Sequence, residues 1–375
     1  MRRGSVTKRG KSSWRIKFET GTNAAGERIT QYQTVHGTRR DAETVLAKRL
    51  TELAEGGFVR PTTETVGSYA DHWITNIAPA ARSRQTVVQY RTLVNAHIIP
   101  GLGSIALQKL DGSTIDRFYQ SRREMGLAPL TILHIHAVLK QILTSAVRAK
   151  KLTRSPITDI ETKPKPTRRD KMLDEPELAA LLDALKSHWI YGPTLLSAST
   201  GLRRSEVCGL RWQDVDLKKG TLQVVQAAKV ISGKLHIEIP KTARSARTIK
   251  MPLALASELE RHRREQLEQR LKLGLGGRPA YVFTSPVGEV LNPKSLTEVF
   301  ANKVAEAGLK PIHFHGLRHT HITLLLKSGV PVHVVSARAG HAKPSITLDT
   351  YSHLLGGEDN DAAKQAEEIL RRVLK

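Results

Sequence analysis

The chain has 375 residues, with 59 Lys and Arg against 35 Asp and Glu, a formal charge of +24. At 39% hydrophobic and 25% charged residues it is neither fibrous nor a disordered tail, and no stretch approaches the ~20 consecutive apolar residues of a membrane-spanning helix. A single cysteine, Cys208, excludes an internal disulfide and a thiolate zinc cluster, which fits a cytoplasmic protein.

Ser12 to Phe18 alternates apolar and polar residues with period two, and Glu27 to Val35 does so again after a turn at Gly21–Gly26, which predicts strands. Asp41 caps a helix with Val45, Leu46, Leu50 and Leu53 at helical spacing. Residues 1–60 are therefore expected to form a small three-stranded sheet with one helix behind it. The open face of that sheet would carry Arg15, Lys17 and Arg28, and strands of this kind can enter a DNA groove. The charge supports such a partner. Residues 1–50 hold 12 basic and 4 acidic residues, residues 61–160 hold 12 and 6, and so large an excess opposes compaction unless a polyanion offsets it.

Helical periodicity dominates residues 65–156, with helices predicted over 66–77, 84–98, 114–123 and 131–149 and breakers at Pro100-Gly101, Asp111-Gly112 and Gly126. The last helix has Ile132, Ile135, Leu139, Ile142 and Leu143 on one apolar face, with Lys140 and Arg148 outside it as candidate DNA contacts. Residues 157–171, with Lys163-Pro164-Lys165-Pro166, read as a linker. From 172 to 375 the pattern is mixed: helices over 175–185, 191–200 and 205–210, a three-strand antiparallel element over 221–227, 235–239 and 247–251, and then helices to the end. Gly274–Gly277 lacks the Lys-Ser/Thr of a phosphate loop and reads as an ordinary turn.

Four separated segments stand out: Thr200-Gly201-Leu202-Arg203-Arg204-Ser205-Glu206, Pro240-Lys241-Thr242 ahead of Arg247, His315-Gly316-Leu317-Arg318-His319-Thr320, and Gly340-His341 followed by Tyr351. In this order the chain resembles the tyrosine recombinases of the phage integrase type, and the resemblance runs over nearly its whole length. It implies an α+β multidomain fold: an arm-binding sheet domain, an all-helical core-binding bundle, and a mainly helical catalytic domain with a small antiparallel sheet. It also implies a catalytic set of Arg203, Lys241, His315, Arg318, His341 and the nucleophile Tyr351, and gives His319 a structural place.

The chemistry supports this set independently. Transesterification at a DNA phosphodiester builds negative charge on the non-bridging oxygens, which calls for fixed cationic donors. Arg203 and Arg318 would clamp them, since guanidinium stays charged and binds two oxygens at once. His315 and Arg318, three residues apart on one helix, share a face. Tyr351 needs a cationic setting or a proton acceptor, because a tyrosine pKa near ~10 leaves it protonated at neutral pH. His315 serves as that base or as a donor to the phosphate, His341 as a second donor, and Lys241 as acid for the leaving 5′ oxygen. Glu206 either orients the arginines or is a helix-surface carboxylate. Because a 3′-phosphotyrosyl bond conserves the phosphodiester energy, no cofactor, metal or ATP is expected.

Other features are given plainer readings. His319 and His321 would face different ways on a helix, against a metal site, and Cys208 reads as core. Ala339 and Arg338 stand where the family commonly has Leu and an acid. The C-terminal helix packs on its own domain or, as the resemblance implies, on a neighbour in a DNA-bound tetramer, and an accessory directionality factor is a further expected partner. The expected activity is site-specific recombination that integrates and excises a mobile element such as a prophage. A catalytically silent DNA-binding regulator of the same fold and a type IB topoisomerase are the alternatives.

Overall fold

The computed structural model describes residues 4–22, 25–54, 58–160, 172–239, 246–285, 287–351, 367–368 and 370–372. Contacts divide the chain into two compact units, residues 1–167 and 168–375.

The first unit begins with an antiparallel sheet in the order β1 (Gly4–Gly10), β2 (Ser13–Thr22), β3 (Arg28–His36). Alternation along β2 decides its two faces. Ile16 and Phe18 are buried against Ala42, Leu46 and Leu53 of α1 (Arg39–Ala54), while Arg15 and Lys17 stand on the opposite face, with Lys17 across from Tyr32. β1 has little sequence signal, since Val6 is its one large apolar residue, and backbone pairing along β2 fixes it. Asp41 is not the N-cap residue itself. It lies in the first turn of α1, where Oδ2 accepts from the Thr38 backbone N–H at 2.8 Å while its own N–H donates to Thr38 Oγ1, a reciprocal capping box.

The bundle that follows contains α2 (Val66–His72), α3 (Ala78–Ala81), α4 (Arg84–Leu93), α5 (Ile99–Leu102), α6 (Gly112–Glu124) and α7 (Pro129–Arg148). Thr65, Ser83 and Asp111 cap α2, α4 and α6 through side-chain oxygens. Pro100-Gly101 does not break the helix as the sequence suggested. A π-turn over Val94–Ile98 leads straight into α5, and the Ile99 N–H donates to Val94 O. Trp73–Ile77 does the same ahead of Pro79. The wider turn accommodates a residue that has no N–H to give. α7 is apolar enough by length and composition to cross a membrane, with mean hydropathy 1.4, but its apolar face is buried in the bundle.

The second unit opens with α8 (Glu175–Leu185), started by an Asp174–Glu177 capping box, then α9 (Tyr191–Thr200) and α10 (Arg204–Gly209). Its strands do not form one three-strand element. β4 (Val215–Asp216), β5 (Thr221–Val224) and β8 (Arg247–Lys250) form one sheet in the order β4-β5-β8, and β6 (Ala227–Ile231) pairs with β7 (Lys234–Glu238) as a separate hairpin. The chain leaves the first ladder after Val224, where the Gln226 side chain donates to Gly209 O at 2.8 Å and holds the start of the hairpin on α10. Helices α11 (Leu253–Lys272), α12 (Pro293–Glu306), α13 (Gly316–Lys327), α14 (Val332–Ala339) and α15 (Pro344–Tyr351) complete the described unit. Leu196, Val207, Leu222, Phe300 and Leu317 lie in its main core, and Ile322, Leu326, Val335, Ala339 and Tyr351 form a smaller core under α14 and α15.

Leu139 lies at the centre of α7 and is fully buried. Leu139→Ala should cost about 2–5 kcal/mol through lost transfer energy and the cavity left behind, measured by denaturant unfolding; a loss below about 1 kcal/mol would contradict this packing.

Candidate active site

Gly201 ends α9 in the left-handed conformation (φ 70°), and a Cβ there would come within 2.8 Å of His321. That tight turn delivers Arg203 to the start of α10, where its backbone N–H and Nη1 both donate to the Glu206 carboxylate at 2.9 Å. Glu206 is not a surface carboxylate. It is buried, and Arg247 on β8 donates to it through Nη2 at 2.9 Å and Nη1 at 3.2 Å. Burial alone would raise the Glu206 pKa, but the hydrogen bonds and charge of Arg247, with Arg203, outweigh it and hold the carboxyl below its ordinary value.

The same arginines reach across to α14. Arg203 Nη2 donates to Gly340 O at 3.0 Å, and Arg247 Nε to Arg338 O at 2.8 Å. Gly340 is again left-handed (φ 70°), and a Cβ would approach the Arg247 guanidinium to 3.0 Å. His341 is thereby placed beside Arg203, with Nδ1 bonded to Thr347 Oγ1 of α15 at 2.8 Å.

Arg318 lies in the first turn of α13, 2% exposed. Its Nη1 donates to Gly201 O at 2.6 Å, and its Nη2 is buried with no hydrogen-bond partner among the described residues. Burial first and Arg203 second push its pKa down to about 9, which leaves it charged at neutral pH. Tyr351 lies within its electrostatic reach. His315 is exposed at the surface, yet the protein packed around it, with His319, Arg318 and Arg203 nearby, lowers its pKa to about 4. Burial and the same two arginines do likewise to His341. Both are neutral at pH 7. A shallow cavity of about 370 Å³, lined by Arg203, Arg204, Ser205, Thr297 and His315 among others, opens beside this cluster.

The structure thus gathers Arg203, Glu206, His315, Arg318, His341 and Tyr351. Lys241 lies outside the described residues. Arg15, Lys17 and Arg28 lie on the N-terminal sheet, where Arg15 stacks over Tyr32 at 5.6 Å and Arg28 pairs with Glu19 at 3.2 Å; Lys140 and Arg148 are exposed on α7. All five belong to the first unit and are remote in sequence from the cluster.

Three residues without an assigned role prove central to the site. Arg247 appeared in the sequence only as the end of a motif; nothing in spacing marks it as a buried partner of Glu206. His319 bonds the Tyr351 hydroxyl through Nδ1. Arg338, where the family commonly has an acid, donates to His321 Nε2, Lys250 O and Ser199 O, tying α14 to α13, β8 and α9. His321, bonded to Ala198 O through Nδ1, and His319 do point different ways. Burial raises the Cys208 pKa to about 12, in keeping with a core thiol.

The second unit thus brings two arginines and a tyrosine into one electrostatic cluster anchored by the Glu206 carboxylate, the residue types that phosphoryl transfer through a tyrosine would use. Solved structures with this fold include the Tn1549 transposon integrase in complex with a circular intermediate DNA (TM-score 0.70, 20% identity, covering 81% of this chain and 99% of that one). A lambda integrase dimer bound to a COC′ core site is another (TM-score 0.60, 18% identity, 94% and 95%). Residues 171–357 match the phage integrase family. The protein is 27% identical to a tyrosine recombinase XerC-like protein of Caldanaerobacter subterraneus subsp. tengcongensis, over 97% of this chain and 98% of that one, and 25% identical to the integrase of Mycobacterium phage L5 over 92% and 93%. The chain belongs to the phage integrase family, the site-specific tyrosine recombinases that integrate mobile elements.

Burial, with Arg338 beside it, lowers the His321 pKa from 6.5 to about 4. The unfolded chain therefore takes up that proton first, so the stabilisation is complete above pH 6.5 and is lost as pH falls toward 4. Unfolding at pH 7 and pH 5 should show about 2 kcal/mol of acid destabilisation from this group. His321→Asn should remove that share of the slope, and an unchanged slope would contradict the assignment.

Proposed function

We propose that the protein cleaves and rejoins DNA strands at attachment sites through a covalent 3′-phosphotyrosyl intermediate formed by Tyr351. The observation that carries this is Arg318, a buried cation whose Nη2 has no acceptor among the described residues, in the electrostatic field of Arg203 and of Tyr351. Burying a guanidinium without a full set of acceptors is costly, and a phosphate oxygen supplies the missing one.

In the reaction Tyr351 Oη bonds to phosphorus as the P–O5′ bond breaks. Arg203 and Arg318 hold the non-bridging oxygens. His315 and His341, neutral at pH 7, act as N–H donors to those oxygens; for His341, Nδ1 accepting from the Thr347 hydroxyl puts the ring proton on Nε2. Lys241 protonates the leaving 5′ oxygen. The phosphotyrosyl bond conserves the energy of the broken ester, so religation needs neither metal nor ATP. Glu206 and Arg247 touch no reacting atom and fix where Arg203 points.

The helical bundle, with Lys140 and Arg148 outward, and the second unit engage the core site, joined through residues 157–171. The sheet face bearing Arg15 and Lys17 holds an arm-type site. Four copies assemble on paired sites, with an accessory factor setting direction, and the C-terminal segment contributes to that assembly.

Incubation with a nicked attachment-site duplex in EDTA should give a covalent adduct that maps to Tyr351. Tyr351→Phe should abolish the adduct and keep specific binding. Specific binding by the wild type without any adduct, on a correct core site, would instead indicate a silent DNA-binding protein.

A further inference from the structure

The proton on Tyr351 has to go somewhere, and the imidazole that the structure puts in hydrogen-bond contact with its hydroxyl is His319. Tyr351 is 1% exposed, packed among Ile322, Leu326, Val335 and Ala339. An acceptor already in contact with the hydroxyl lets its deprotonation be concerted with attack on phosphorus. The Tyr351 hydroxyl is hydrogen-bonded to Nδ1 of His319, with the two rings 5.8 Å apart. His315, one helical turn earlier, meets the His319 ring edge-on at 5.1 Å and stands on the side of Arg203, Arg204 and the open cavity. The two histidines therefore divide the site: His315 faces where the phosphate enters, and His319 faces the nucleophile.

We propose that His319 is a catalytic residue, the general base that takes the proton of Tyr351. The proposal rests on Tyr351 being the nucleophile of strand transfer. As Oη bonds to phosphorus, the Tyr351 proton passes to His319 Nδ1, the P–O5′ bond breaks, and the 5′ oxygen receives a proton from the ammonium group assigned above. Rejoining reverses each transfer: the 5′ hydroxyl attacks, Oη leaves, and His319 returns its proton. No proton is gained or lost over the two steps. The role requires the Nε2–H tautomer of His319. Arg318, adjacent in sequence and within reach of Tyr351, lowers the cost of negative charge developing on Oη while the proton moves.

Single-turnover cleavage of the nicked duplex tests this in the full chain, with specific binding as the folding control for each variant. His319→Asn and His319→Gln preserve polarity but cannot act as bases at neutral pH, and each should cleave about 10²–10⁴-fold more slowly than wild type. The wild-type rate should rise with pH along an imidazole limb that both variants lack, and imidazole should partly restore His319→Ala. A duplex with sulfur in place of the bridging 5′ oxygen, which leaves without a proton, should not rescue the His319 variants. Cleavage within about threefold of wild type and with an unaltered pH profile would overturn the proposal. So would rescue by the sulfur substrate, which would make His319 part of the acid pathway, or faster cleavage, which would make it a restraint on Tyr351. Absence of any adduct from the wild-type protein, or an adduct on another residue, would instead sink the nucleophile assignment on which the proposal stands.

Discussion

One buried carboxylate organises the site. Glu206 receives four donors, two each from Arg203 and Arg247, and those arginines in turn hold Gly340 and Arg338 at the end of α14. Its position at the third residue of α10 is a local matter of helix capping, but its partners come from a strand 41 residues away and a helix end well beyond that. Desolvating two arginines and a glutamate is expensive, and a well-packed apolar cluster of equal volume would be as stable or more so. What the charged cluster gives is position. Arg203 is fixed at both ends of its guanidinium, so its orientation does not depend on a substrate being present.

The remaining cations are arranged around that anchor. Arg203, Arg247 and Arg318 lie close together with one carboxylate between them, and burial, with the excess of positive charge behind it, holds His315 and His341 neutral. Neutral imidazoles donate hydrogen bonds without adding to the repulsion that a fourth and fifth cation would face. Arg338 performs a mechanical role below this layer, bracing α14 against three neighbouring elements through one side chain. The two left-handed glycines, Gly201 and Gly340, allow the backbone to come close to His321 and Arg247, where any Cβ would intrude.

Much of this was legible in the sequence, and the reasons differ by feature. α7 announces itself because its apolar residues repeat at helical spacing over twenty residues. β2 does so because Ile16 and Phe18 alternate with Arg15 and Lys17. The dispersed motifs singled out Arg203, Arg318, His341 and Tyr351 as candidates because phosphoryl transfer admits few residue types, and the fold brings these four together. Hidden from the sequence were features made by tertiary contact: the π-turns that absorb Pro79 and Pro100, the separation of β6-β7 from the β4-β5-β8 sheet, the partnership of Arg247 with Glu206, and the hydrogen bond between His319 and Tyr351 across 32 residues. Arg338 shows the opposite hazard: a residue noticed only as a departure from the family pattern turns out to be a brace.

A double-mutant cycle between Glu206 and Arg247 tests the anchoring claim most directly, using Glu206→Gln, Arg247→Met and the pair, with unfolding free energy as the readout. Each single change takes a partner from a buried charge and should cost about 3–5 kcal/mol. The pair should be less damaging than the sum of its parts, with a coupling of about 1–3 kcal/mol. Additivity to within about 0.5 kcal/mol would mean that the two side chains do not sense one another, and that something other than Glu206 holds the arginines in place.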